Sequence, residues 1–164
     1  MTRRTAAVVT ASDGTAAGTR EDTSGPAVSA LLEEAGFAIV AREVVPDDLE
    51  AIAAVLCRLT DDGVALVCVT GGTGLGPRDV TPEATRAVID REVPGLAEAM
   101  RAAGRASTPM ADLSRGIVGL RGATLIVDLP GSPRGATESL AAILEVLPHA
   151  LDLAAGDTAH HPPA

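Results

Sequence analysis

Four glycines, Gly71, Gly72, Gly74 and Gly76, fall within six positions of the stretch "VTGGTGLGPRDVTPEAT", residues 69–85. Glycine admits positive φ and lets a ligand approach the backbone closely. Successive N–H groups in such a turn form a concave anion site, and the helix start signalled by Thr81-Pro82 adds a positive dipole end. A merely tight turn needs one or two glycines, so four point to a bound anion. The loop lacks the Gly-Lys-Ser/Thr ending of a nucleotide P-loop, and the chain contains no lysine at all. All 13 basic residues are arginines, which suit bidentate phosphate contacts and exclude Schiff-base chemistry.

Two carboxylates belong to the same rim. Asp79 follows Arg78 in the glycine loop, and Asp47 lies in "PDD" at the end of a predicted strand. A Mg²⁺ ion commonly takes one or two carboxylates and completes its shell with substrate phosphate oxygens. Singly, Asp47 could equally cap the next helix, and Asp79 could be a turn residue or a partner of Arg78. Their shared position favours a metal site. "PGSPRG", residues 130–135, offers a second anion-binding turn or a plain helix entry, with Ser132 and Arg134 at its helix start. Arg115 in "LSRG" is a further candidate cation. The three histidines, His149, His160 and His161, lie away from this rim, which argues against a Ser-His-Asp hydrolase.

The elements that must position these residues follow from periodicity. "TAAVVTA" (5–11), "FAIVAREVV" (37–45) and "VALVCVT" (64–70) read as strands, the last apolar throughout as a central strand should be. Between them, Val28, Leu31, Leu32 and Ala35, then Leu49, Ile52, Ala53 and Leu56, repeat at helical spacing, with Gly36 and Gly63 as stops. Thr81 is expected to cap a helix over 82–91 with Pro82 at its first position, and a shorter helix follows over 96–103. "GIVGL" and "ATLIVDL" flank Arg121-Gly122, whose tight turn makes the two strands antiparallel. The last helix follows "PGSPRG" and carries Leu140, Ile143, Leu144 and Leu147 on one face, with Pro148 kinking or ending it.

Alternating strands and helices imply one α/β domain, residues 1–155, built as three α/β/α layers around a mostly parallel sheet with one antiparallel edge strand. Residues 156–164 lack periodicity and are expected to be a disordered tail. Ligands of such sheets sit outside the carboxyl ends of the strands. That rule selects the 12–24 loop, "PDD", the glycine loop and "PGSPRG". The net charge of −9 and a single aromatic, Phe37, oppose a nucleic-acid partner. No stretch has the length of a membrane span, and the N-terminal apolar run is too short for a signal peptide, so a cytoplasmic protein is expected. Cys57 and Cys68 read as small buried hydrophobes.

"SDGTAAGTREDTSGP", "VPDD", "GGTGLGPRDVTPEAT" and "LSRGIVGLRGATLIVDLPGSP" together resemble the MogA/MoaB family of molybdenum-cofactor biosynthesis, related to the G domain of gephyrin. The resemblance spans nearly the whole chain, and "RDVTPEAT" favours the MogA type. It implies a molybdopterin-binding, Rossmann-like domain, often trimeric, that adenylylates molybdopterin with Mg²⁺ and ATP; other molybdenum-cofactor enzymes are possible partners. Asp47 and Asp79 match the acidic positions tied to catalysis and Mg²⁺. Segments carrying Ser12, Asp13, Ser24, Gly71, Gly72, Thr73, Gly74, Arg78, Ser114, Arg115, Pro130, Gly131, Ser132 and Pro133 match those that bind substrate or nucleotide. Asp128 departs from the family, which often has Asn before Leu-Pro-Gly. A non-catalytic molybdopterin carrier of the MoaB type is the alternative. A weaker one is a relative of the competence-damage protein's N-terminal domain.

Overall fold

Strand alternation divides the interior into two cores, one on each side of a single sheet. The computed structural model describes residues 3–158. Its strands are β1 (Thr5–Ala11), β2 (Ala38–Val45), β3 (Leu66–Thr70), β4 (Arg91–Glu92), β5 (Val118–Arg121) and β6 (Thr124–Leu129), in the spatial order β2-β1-β3-β6-β5-β4. β2, β1, β3 and β6 are parallel, β5 is antiparallel to β6, and β4 is antiparallel to β5. The single reversed strand, β5, therefore sits one place inside the edge, and the two-residue β4 takes the edge itself.

Among the described residues there are seven α-helices: α1 (Asp13–Ala16), α2 (Ser24–Glu34), α3 (Leu49–Asp61), α4 (Thr81–Val88), α5 (Pro94–Gly104), α6 (Pro133–Ala141) and α7 (Leu147–Ala154). All but the short α1 bury residues against the core. Ala6, Val8, Leu66, Cys68, Leu125 and Val127 share one core with Val28 and Leu32 of α2, Met100 of α5, Leu140 of α6 and Leu151 of α7. The intervening residues Ala7, Val9, Val67, Val69 and Ile126 share the other with Ile52, Leu56 and Leu59 of α3 and Ala84 of α4. Each fully buried Leu or Ile contributes about 1.5–3 kcal/mol. Burial pushes the Cys68 thiol up to about 12, so it is inert at neutral pH. Cys57 is only half-buried, and its Sγ accepts from Arg121 at 2.6 Å.

Glycine ends three helices in the same way. Gly36, Gly63 and Gly156 have φ of 92°, 77° and 88°. In each case the following N–H reaches back five residues: Phe37 to Leu32, Val64 to Leu59, and Asp157 to Asp152. These are Schellman caps, which satisfy carbonyls the helix leaves open. Gly156 and Asp157, placed in the tail by sequence, thus close α7. The rest of that expected disordered tail, residues 159–164 with His160 and His161, lies outside the described residues.

Several boundaries differ from the sequence reading, two of them by more than two residues. The helix expected over 82–91 stops at Val88, because Asp90 N–H and Val93 N–H donate to Leu120 and Val118 at 2.7 Å. Pairing with the open side of β5 turns Arg91 and Glu92 into a strand. The last helix breaks at Ala141, before Pro148, and Pro148 instead lies in the first turn of α7, where its missing N–H costs nothing. Ile143 and Leu147 stay buried across the break.

Candidate functional site

The carboxyl ends of β1, β2, β3 and β6 converge on one rim, and the loops selected from sequence meet there. Gly71 and Gly72, directly after β3, have φ of 93° and 65°. A Cβ on Gly71 would stand 2.3 Å from the Ala11 carbonyl oxygen, and one on Gly131 would stand 3.3 Å from Gly71 Cα. The glycine loop is thus wedged between the end of β1 and "PGSPRG". Its tip folds over Asp79, whose Oδ2 accepts from Gly76 N–H at 2.8 Å.

Two cavities flank this loop. One, about 440 Å³, is bounded by Thr73, Met100, Arg101, Met110, Ser114 and Asp128 among others. The second, about 660 Å³, is bounded by Ser12, Arg20, Asp22, Ser24, Asp47 and Thr70 among others. Gly72, Asp79, Gly131 and Ser132 line both. Pro130 and Gly74 face the smaller cavity and Pro133 and Gly71 the larger. The two cavities are therefore compartments with a shared wall.

Asp47 does not cap α3. That role falls to Asp48, whose Oδ1 accepts from Ala51 N–H at 2.9 Å. Asp47 instead exchanges two bonds with Asp13: its Oδ2 accepts from Asp13 N–H at 2.9 Å, and its own N–H donates to Asp13 Oδ1 at 3.0 Å. Burial, above all, raises the Asp47 pKa, and the Asp13 and Asp79 charges add to this while the Asp13 N–H and Arg78 oppose it. Arg78 does not pair with Asp79; its Nε and Nη2 grip Asp13 at 3.0 and 2.9 Å. That guanidinium hydrogen bond holds the Asp13 carboxyl below its usual range.

The donor set suits Mg²⁺ rather than a stand-alone metal centre. Among the described residues no three His, Cys, Asp or Glu side chains gather around one point. Asp47 and Asp79 each spend one oxygen on a backbone N–H and keep Oδ1 without a hydrogen-bond partner among the described residues. Asp47 and Asp79 both line the larger cavity, and two carboxylates there are a number that fits an ion which completes its shell with phosphate.

The remaining candidates divide between lining and support. Ser24 Oγ shares a 2.8 Å bond with Thr70 Oγ1 at the floor of the larger cavity. Ser12 caps α1 by accepting from Thr15 N–H, and Ser132 caps α6 by accepting from Gly135 N–H. Ser114 Oγ accepts from Gly116 N–H at 3.3 Å. Arg115 takes a different part from the one its sequence position suggested. Its Nε donates to Gly74 O at 2.8 Å, its Nη2 to Asp79 O at 2.7 Å, and it pairs with Glu83. The guanidinium is committed to clamping the glycine loop onto α4.

Sequence reasoning missed Arg101 and Arg20, the arginines that border the smaller and larger cavities. Arg101 Nη1 donates to Gly116 O at 3.0 Å, so it is anchored at the wall. Arg20 stood within the 12–24 loop as a recognisable cation; nothing local marks Arg101, which sits on α5. Thr81 was expected to cap α4. The cap position is Val80, whose side chain makes no capping bond, and the fully buried Thr81 Oγ1 has no partner among the described residues.

Comparison with known proteins identifies the family. A family model described as "Probable molybdopterin binding domain" matches residues 7–149. The chain is 38% identical over 153 residues to the molybdopterin adenylyltransferase of Helicobacter pylori, covering 92% of this chain and 87% of that one. It is 40% identical over 151 residues to the molybdenum cofactor biosynthesis bifunctional protein of Synechococcus elongatus, covering 92% of this chain. This chain spans about half the length of that relative, 47%. The crystal structure of the molybdopterin biosynthesis enzyme MoaB from Thermus thermophilus superposes with a TM-score of 0.88 at 53% identity, covering 93% of this chain and 96% of that one. With the glycine loop, the paired carboxylates and the abutting "PGSP" turn set in this fold, the chain belongs to the MogA/MoaB family of molybdopterin-binding domains of molybdenum-cofactor biosynthesis.

Proposed function

We propose that the protein adenylylates molybdopterin with ATP and Mg²⁺, in the cytoplasm. The observation that carries this reading is the shared wall: Gly72, Asp79, Gly131 and Ser132 border both cavities. Transfer between two substrates needs two adjoining pockets whose reacting ends meet, and holding them so supplies much of the catalysis. The phosphate oxygen of molybdopterin attacks the α-phosphorus of ATP, the bond to the β-phosphate oxygen breaks, and pyrophosphate leaves. No protein nucleophile is required, which suits a chain without lysine and a rim with no histidine among the described residues.

Asp47 and Asp79 would hold Mg²⁺, which supplies positive charge at the nucleotide phosphates. The chain's own groups do the rest. Backbone N–H groups of the glycine loop and of the α6 start would meet the anions, and Arg115 keeps that loop in place. Arg20 and Arg101 border the cavities and would offset charge. Arg78, which lines neither cavity, holds Asp13 beside Asp47. The name of the Helicobacter pylori relative supports the same activity.

Pyrophosphate should appear only when molybdopterin, ATP and Mg²⁺ are all present with the purified protein. Tight molybdopterin binding without turnover in that mixture would assign the protein to the carrier class instead. The family resemblance further leads us to propose a homotrimer. Light scattering at micromolar concentration should give three chain masses, and a monomer mass would reject it.

A further inference from the structure

Buried polar side chains almost always find a partner, and each exception asks for a reason. Among the described residues the single buried side-chain oxygen or nitrogen without one is Thr81 Oγ1, on a residue that is 0% exposed. Its neighbourhood is specific. A Cβ built on Gly72 would stand 2.3 Å from Thr81 Oγ1 and 3.2 Å from Asp47 Oδ1. The hydroxyl and the carboxylate oxygen thus lie on the same side of Gly72, no more than 5.5 Å apart by addition of those two distances. Both lack a hydrogen-bond partner among the described residues: one is a donor without an acceptor, the other an acceptor without a donor. Thr81 is tied to this point by its backbone, whose N–H donates to Gly72 O at 3.1 Å.

We propose that Thr81 is a positioning residue for Asp47: when ligand draws the glycine loop and Asp47 together, the Thr81 hydroxyl donates to Asp47 Oδ1 and fixes its rotamer. This rests on the adenylyltransferase reading for its rate effect, but its structural part does not. Glycine at position 72 is what leaves the path between the two oxygens open, since any side chain there would fill it. A carboxylate oxygen has two acceptor sites, so a bond from Thr81 leaves one for a metal ion. Hydrogen bonds to a ligating carboxylate orient it, and their loss typically costs 10–100-fold in affinity or activity. The free protein leaves this hydroxyl unpaired and so keeps a donor ready at Asp47.

Thr81→Val and Thr81→Ser decide this. Without ligand, Thr81→Val should unfold at the same urea concentration as wild type or a higher one, because it removes a hydroxyl that has no partner. With substrates, its kcat should fall roughly 10–100-fold while KM for molybdopterin stays within about twofold, and Thr81→Ser should recover most of the rate. Mg²⁺-ATP should raise the melting temperature of wild type and Thr81→Ser more than that of Thr81→Val. A Thr81→Val protein that is less stable without ligand would overturn the inference, since the hydroxyl would then be bonded in the free state. Equal Mg²⁺-ATP shifts in all three proteins, or wild-type turnover in Thr81→Val, would overturn it too. Absence of turnover in wild type counts against the adenylyltransferase reading instead, and the two stability measurements still judge Thr81.

Discussion

Replacing Asp47 or Asp79 with Asn is expected to lower turnover at least about 10²-fold, roughly 2.7 kcal/mol, while the fold survives. The change keeps the shape of each side chain and removes its charge. Each carboxylate accepts one backbone hydrogen bond, Asp47 from Asp13 and Asp79 from Gly76, and an Asn carbonyl oxygen can accept both. A loss of stability is therefore not expected for either variant. A helix-capping role for Asp47 would have made its Asn variant nearly silent, but α3 is capped by Asp48. Molybdopterin affinity should change much less than turnover, because removing an acid beside an anion relieves repulsion. The two losses should fall short of adding if both residues hold one ion, as proposed. Pyrophosphate release near the wild-type rate in both variants would remove the metal assignment; lost activity with a lowered melting temperature would make the residues structural.

Asp128 governs the second large effect, which is one of stability. The residue is 1% exposed, and its two carboxyl oxygens accept from Thr85 Oγ1 at 2.7 Å and Ile117 N–H at 3.2 Å. Burial pushes its pKa from the ordinary 3.8 up to about 7; the bonds from Thr85 and Ile117 and the charge of Arg86 oppose this, and Glu83 adds to it. The folded protein therefore holds a proton more tightly than the unfolded chain between those two values. The stability this provides is fully present below about pH 4 and is lost as pH rises through about 7. At about 1.4 kcal/mol per unit, the loss approaches about 4 kcal/mol by pH 8. Asp128→Asn stays neutral, with its carbonyl oxygen on Ile117 N–H and its amide donating to a turned Thr85 hydroxyl. Urea midpoints measured from pH 5 to 8 should fall for wild type and fall less for the variant, which should be the more stable protein at pH 8. Parallel curves would mean that the Asp128 carboxyl is charged throughout that range.

What the sequence made legible was local. β1 matches its expected span, and Gly36 and Gly63 stop their helices where the apolar stripes end. The β5–β6 hairpin follows from Arg121-Gly122, with Gly122 at φ 55°. β4 was hidden because two residues carry no period, and only the open side of β5 makes them a strand. The site divides likewise. Four glycines and two acids announce themselves, but what holds them does not. The Arg115 clamp joins residues 41 and 36 positions apart, and the Asp13–Asp47 exchange spans 34. Such contacts depend on which loops the sheet order brings together, and periodicity does not encode that order.

In the proposed reaction the adenylyl group passes straight from one bound substrate to the other, which a single-turnover reaction with ATP labelled at the α-phosphorus, molybdopterin and Mg²⁺ would show. The label should move to molybdopterin in step with pyrophosphate release, and none should be recovered on the protein after quenching. Pyrophosphate released with the label in free AMP, or label retained on the protein chain, would contradict it.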